Sequence, residues 1–386
     1  MKLIDMIPPM LGDEELIKAL EKYPTYNLCK YDSKSKRLIL VQDIFEIYVP
    51  NEMSIELYHS VYFLVLYACK RKEEGLNFHS MNGDSFLLCG ESGIGKTETM
   101  ARISEIMFNN RVIELDNPFT RIIPILIVQC STVSSFKGFL VSILYSIDSR
   151  IGTNYGNHAS KTNVNTDELL IATTKALNLH VMVLVCEEMG FVGDSNKFMN
   201  QIVALCNVIN TSVIFVCTPI GLRFFMSSDY LARRSLTKIY KNLEFEDFKI
   251  LALKLLEYNY TLTRPDIDGE SIRYLYNSTG GNPALLKQVI VAAQTWAISS
   301  GYEKLSLHSL KYGVKNKLIT MEPYIKNGFE IRHQKHIQET TVLKASLSAG
   351  EELVDIFAKA AKKAQKEPKN MINHIEQFID VERVTL

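Results

Sequence analysis

The chain has 386 residues, 47% hydrophobic and 22% charged, and its 43 basic and 43 acidic side chains balance to a formal net charge of zero. That apolar fraction supports a sizeable buried core and excludes a disordered chain. Neutrality excludes a bulk polycation that coats nucleic acid or anionic membrane, while leaving room for a local basic stripe.

In chain order, residues 1–80 form an N-terminal extension. It opens with a polar segment containing Pro8-Pro9 and continues through Phe45-Glu46-Ile47-Tyr48-Val49-Pro50. A helix is predicted from about 54 to 72, with Pro50 before it and Arg71-Lys72-Glu73-Glu74-Gly75 closing it. The longest apolar run, 61–69, is too short to cross a bilayer, and the first residues lack the apolar core of a secretion signal. A soluble protein without a membrane partner is expected.

From 81 to 245, apolar runs alternate with amphipathic stretches. Strands are predicted at 86–89, 123–129, 181–186 and 213–217, with a shorter fifth near 237–243. Helices fill the intervals at about 97–108, 133–147, 166–178 and 195–209. Near-continuous apolar strands of this kind are buried on both faces, so the pattern predicts an α/β fold, a parallel sheet flanked by helices. Residues 246–320 read as wholly helical, a small helical lid, with Pro283 opening a helix after Gly280-Gly281-Asn282. Residues 321–386 form a polar tail with a lysine-rich amphipathic stretch at 353–369. The seven cysteines are odd in number and include no C-x-x-C pair, so a reducing cytoplasm is the expected setting.

The chemistry concentrates at Gly90-Glu91-Ser92-Gly93-Ile94-Gly95-Lys96-Thr97, which fits G-x-x-x-x-G-K-[ST] between a predicted strand and a predicted helix. Gly90, Gly93 and Gly95 let backbone N–H groups turn inward around phosphates. Lys96 reaches the β- and γ-phosphates, and the Thr97 hydroxyl is a ligand for Mg2+. Glu98 completes the nucleotide-binding set at the helix start, where the helix dipole favours anions. The expected cofactors are ATP and Mg2+.

A phosphate site of this type needs an apolar strand ending in acids, and 181–186 ends in Glu187-Glu188. Glu187 would hold the metal shell and Glu188 would act as general base toward the attacking water. Asp is usual at the first position, and the extra methylene of Glu187 predicts slower hydrolysis. Thr218, after the next strand, is placed to sense the γ-phosphate. Arg233 and Arg234 read as solvated or salt-bridged arginines, or, by resemblance to ring ATPases, as the pair that enters a neighbouring subunit's site, where a guanidinium neutralises developing phosphate charge. Lys287 is the cation nearest the lid motif and the candidate lid contact to the nucleotide.

Taken in this order, these elements resemble an AAA+ P-loop NTPase. More narrowly, the chain resembles the TnsC/TniB-type ATPase regulators of bacterial transposons, including CRISPR-associated ones. The resemblance covers about 40–330. It rests on Phe45–Pro50 with the helix after it, on Gln129-Cys130-Ser131-Thr132-Val133-Ser134-Ser135-Phe136-Lys137, and on Ile151-Gly152-Thr153-Asn154-Tyr155-Gly156. It rests also on Phe215-Val216-Cys217-Thr218-Pro219, where Cys217 replaces a usual Gly, on Leu231–Arg234 and on Leu305–Leu318. The resemblance implies a homo-oligomer, ring or filament, that assembles on double-stranded DNA in the ATP state. It would link a target selector to a transposase, with hydrolysis dismantling the assembly. Ser131, Thr132, Ser135, Lys137 and Lys161 are the candidate DNA contacts. Two alternatives come from other classes: a signalling NTPase switch acting on protein partners without DNA, and a scaffold that holds ATP without turnover.

Overall fold

A computed structural model of the chain describes residues 2–25, 33–74, 85–115, 121–130, 135–160, 164–189, 195–226, 235–320, 342–347 and 379–384. The chain divides into two units, Met1–Glu322 and Pro323–Leu386. In the first, six strands form one sheet: β1 Ser85–Gly90, β2 Ile113–Glu114, β3 Arg121–Gln129, β4 Val181–Met189, β5 Ser212–Cys217 and β6 Ser235–Tyr240. Their spatial order is β2-β3-β4-β5-β1-β6, parallel throughout except for the short β2 against β3. The four strands predicted from apolar runs are all present. The fifth, expected near 237–243, lies earlier, because β6 is an edge strand and carries no continuous apolar run. The antiparallel β2 was not anticipated, since two residues leave no periodic signal.

Period-two alternation sends neighbouring residues of each central strand into different cores. Leu87, Cys89, Leu184, Phe215 and Cys217 pack with Phe139, Ile143, Leu144 and Leu177 on one face. Phe86, Leu88, Val185, Ile214 and Val216 pack with Leu57, Val61, Met100 and Ile103 on the other. The helices before the lid are α1 Asp13–Leu20, α2 Lys34–Leu40, α3 Glu52–Glu74, α4 Lys96–Phe108, α5 Phe136–Ile151, α6 Tyr155–Ala159, α7 Thr166–His180, α8 Ser195–Val208 and α9 Pro219–Met226. Helix α5, expected at 133–147, starts at the Ser135 cap and runs to Gly152, whose φ of +74° ends it. Its buried stripe continues through Ile147 and Ile151, past the predicted end.

The lid consists of α10 Phe245–Glu257, α11 Gly269–Thr279, α12 Pro283–Ser300 and α13 Leu307–Lys317. The N-terminal extension, which reads as a polar lead-in, folds into an arm that touches both lid and core. Arg37 of α2 forms a forked pair with Glu303 at 2.6 and 2.7 Å and also donates to the Tyr260 carbonyl. Lys34 donates to the Ser299 carbonyl at 2.6 Å. At the other end of the arm, Arg102 of α4 donates to the Leu20 and Glu21 carbonyls, which α1 leaves unpaired at its C-terminus. No helix among the described residues is long and apolar enough to cross a membrane.

In the second unit, β7 Val342–Leu347 pairs antiparallel with β8 Ile379–Val384, Val342 opposite Val384. The lysine-rich stretch 353–369 lies outside the described residues.

Candidate functional site

The strand order places the C-terminal ends of β1, β5 and β4 side by side, the edge at which open parallel sheets bind ligands. Out of β1 comes the phosphate-loop sequence. Gly93 and Gly95 hold φ of +87° and +100°, the left-handed region that only glycine adopts freely, and Gly95 caps α4. A side chain on Gly90 would collide with Ile94 and the Tyr240 carbonyl, so that glycine is required by packing. The Lys96 Nζ folds back onto the Gly90 and Glu91 carbonyls at 2.7 and 2.8 Å. Burial pushes the Lys96 amine below its ordinary pKa, against the nearby Cys217, Cys89, Glu91 and Glu187.

At the end of β4 the two predicted acids separate. Glu187 is buried, 1% exposed, with Oε2 accepting from Gln129 Nε2 at 2.6 Å. Its Oε1 is buried without a hydrogen-bond partner. Burial raises the Glu187 carboxyl above its ordinary pKa and the Glu188 charge adds to this, while Thr97 and Gln129 oppose it. Glu188 is exposed and has φ of +56°, where the β4–β5 register shifts between Cys186 and Met189. A bulge at a strand end re-aims a side chain. Here it sends the second acid out of the sheet and into a cavity of about 460 Å³, shared with Lys96, Thr97, Thr218 and Lys287. Ser92, Gly93, Gly95 and Glu98 line it too, so nine predicted residues meet in one cavity.

The lid closes the site from the other side. Asn282 caps α12 by accepting from the Ala284 and Leu285 N–H groups, and its Nδ2 donates to the Ser92 carbonyl at 2.8 Å and to Asn242. The Ala284 N–H reaches the Gly93 carbonyl at 3.1 Å, so the lid motif is bonded directly to the phosphate loop. Gly281, at φ +75°, leaves room for the Leu243 carbonyl, which a Cβ would meet at 2.5 Å. Lys287 lies 3.5 Å from Glu98 Oε2 and donates to the Phe45 carbonyl of the arm at 3.2 Å. Burial lowers the Lys287 pKa, and Glu98 holds it up.

A second cavity of about 70 Å³ lies between arm, loop and lid, lined by Tyr48, Val49, Ile94, Leu251 and Pro283. Asn51, Glu98, Thr99, Asp247 and Lys287 add polar groups to its mainly apolar wall. The Tyr48 hydroxyl fixes one wall by bonding Ser54 and Thr99, each at 2.7 Å. Gln129, Asn282 and Tyr48 were not singled out from sequence. Asn282 shows there only as the residue before Pro283, and nothing local reveals its reach to Ser92.

The donor set suits a hard divalent cation. Thr97 and Glu187 would supply oxygen ligands, and the Glu187 Oε1 is buried without a hydrogen-bond partner. These are the residues that would hold Mg2+, which when bound neutralises charge on the nucleotide phosphates. Of the candidate DNA contacts, Ser135 caps α5 by accepting from the Gly138 N–H, and Lys137 donates to the Val164 carbonyl at 2.7 Å. Ser131, Thr132, Lys161, Arg233 and Arg234 lie outside the described residues.

A family model described as an AAA domain matches residues 80–226, the span from just before β1 to the end of α9. Over that span the mostly parallel sheet flanked by helices is an α/β fold of the AAA+ P-loop type. No curated protein matches the chain. Similar solved structures include domain III of the Thermotoga maritima replication initiation protein DnaA, at 14% identity, covering 70% of this chain and 94% of that one with a TM-score of 0.43. The Aeropyrum pernix ORC2 protein in its ADP form is another, at 10% identity over 93% and 82% of the two chains, TM-score 0.44.

Proposed function

We propose that the chain is a Mg2+-dependent ATPase switch that regulates DNA transposition. In the ATP state it oligomerises on double-stranded target DNA and links a target selector to the transposase. Hydrolysis then drives disassembly, inside the cytoplasm. The observation that carries the ATPase part is the convergence of Lys96, Thr97, Glu188 and Thr218 on one cavity, with the orphaned Glu187 oxygen at the end of β4. In the chemical reading, Lys96 and the loop N–H groups bind phosphates, Glu188 accepts the proton of the attacking water, and Thr218 orients the γ-phosphate. The transposition part is supported by the resemblance of the 40–330 segment to TnsC/TniB-type regulators. In it, Arg233 and Arg234 serve a neighbouring subunit's site, and Ser131, Thr132, Ser135, Lys137 and Lys161 face DNA.

A second reading, a protein-partnered signalling switch, is favoured by the direct bonds of the Gly-Gly-Asn-Pro motif to the phosphate loop, which let lid position report nucleotide state. One experiment separates the two. Labelled double-stranded DNA is titrated with the protein in the presence of a non-hydrolysable ATP analogue, ADP or neither, and both affinity and particle size are read. Analogue-dependent binding with growth to large particles supports the DNA-loaded switch. Nucleotide binding with no DNA binding in any state sinks it in favour of the second reading.

A further inference from the structure

Glu187 stands where an aspartate is usual, and one methylene of extra reach must be accommodated within a packed strand end. The register of the sheet shows how. Gln129, the last residue of β3, lies directly opposite Glu187, and the Cys130 N–H donates to the Glu187 carbonyl at 2.9 Å, so the two strand ends are locked together. From that position the Gln129 amide reaches one carboxylate oxygen at 2.6 Å, a short charge-assisted bond, and leaves the other buried and unpartnered. We propose that Gln129 is a positioning residue for the metal: it draws the longer Glu187 side chain sideways and presents Oε1 alone as the cation ligand.

The inference rests on the nucleotide-site reading above and adds a residue to it. Mg2+ tolerates little departure from octahedral geometry, so an acid with two free oxygens and an extra rotatable bond holds it less well than one fixed on a single oxygen. Groups that orient a ligand from behind typically change metal affinity 10–100-fold when removed. Glu187 and Gln129 thus form a compensated pair, in which the longer acid works because the amide restrains it.

The test follows binding of a fluorescent ATP analogue against Mg2+ concentration for four proteins: wild type, Gln129→Leu, Glu187→Asp, and Gln129→Leu combined with Glu187→Asp. Leucine keeps the volume of Gln129 and removes the amide. The expected result is a Mg2+ midpoint raised about tenfold in Gln129→Leu, with affinity in EDTA unchanged. The combined variant is expected to return to near the wild-type midpoint, because the shorter acid needs no restraint; a purely structural role for Gln129 would not be rescued by shortening its partner. Gln129→Asn, which keeps the amide but falls short, should behave like the leucine variant and guards against misfolding of the first. An unchanged or lowered midpoint in Gln129→Leu and Gln129→Asn overturns the proposal, as does failure of the combined variant to recover while its EDTA affinity is normal. Absence of analogue binding by wild type in EDTA and in Mg2+ alike overturns the nucleotide reading itself, and the positioning role with it.

Discussion

The phosphate half of the site is contained in one continuous loop, Gly90 to Thr97, whereas the lid half is gathered from Tyr48, Asn242, Asn282 and Lys287, distant positions brought together only by the fold. The loop owes its shape to two left-handed glycines and a helix N-terminus, all set locally. The lid half owes its shape to an arm that ends in a buried ion pair, Arg37 with Glu303, and to one asparagine bonded to the loop. The first takes its backbone shape from local sequence, with the lid bonded onto it through Asn282 and Ala284. The second exists only while arm, core and lid are assembled, and so can report on that assembly.

If that division holds, chemistry and assembly should fail separately. The largest effect is expected from Glu188→Gln, which removes the general base and leaves the size of the cavity wall. Phosphate release should fall on the order of 10²–10⁴-fold while ATP-analogue affinity stays within a few-fold. Turnover at the wild-type rate would remove Glu188 from the mechanism. Next is Arg37→Met. The Arg37 and Glu303 side chains are 6% and 18% exposed, and the Glu303 carboxyl is held below its ordinary pKa by Arg37. Leaving Glu303 unpaired should cost about 2–3 kcal/mol in denaturant unfolding, below the range for a fully buried pair because Glu303 is partly wet. Tripolyphosphate, which engages only the phosphate half, should bind this variant as it binds wild type, while ATP binding weakens. Equal weakening of both would mean that the halves are not separable.

Asn282→Ala is expected to act between these extremes. It removes a helix cap and the bond to Ser92 together, at about 1–2 kcal/mol of stability. ATP affinity should fall about tenfold, the equivalent of roughly 1.4 kcal/mol, as the lid comes away from the loop. Asn282→Asp keeps an oxygen for the cap but loses the donor to Ser92. It should therefore restore stability without restoring affinity, which calorimetric unfolding and analogue titration would read side by side.

The same contrast explains what the sequence discloses. The phosphate loop, the four central strands and the acids closing β4 are legible because each is local: a motif, an apolar run, a strand terminus. The outward turn of Glu188 is not, since it comes from a register shift against β5 that no property of Glu187-Glu188 encodes. Edge strands are misplaced for a related reason. Half-exposed Leu236, Thr237 and Ile239 break the continuous apolar signal, so the predicted strand drifted toward Leu243. The arm is the least legible part. A buried arginine in a lysine-rich helix looks like a solvated residue until Glu303 is known to face it, and a tyrosine before a helix gives no hint that its hydroxyl braces Ser54 and Thr99.

The smallest expected effect tests the seam where the two halves meet. Lys287 of the lid and Glu98 of α4 both border the larger cavity and the smaller one beside it, 3.5 Å apart. Nucleotide phosphate must compete with Glu98 for the Lys287 amine, so Glu98→Gln should tighten ATP binding about threefold near pH 7, less than 1 kcal/mol. Charge also runs through this pair in a second way. Burial already lowers the Lys287 pKa and Glu98 opposes that shift, so removing the carboxylate lowers the amine further. Phosphate binds the charged amine, and binding weakens as pH rises through its pKa. The variant therefore loses its advantage first, and the ratio of its ATP affinity to that of wild type should fall steadily from pH 7 upward. A ratio constant across pH would show that Lys287 does not contact the phosphates.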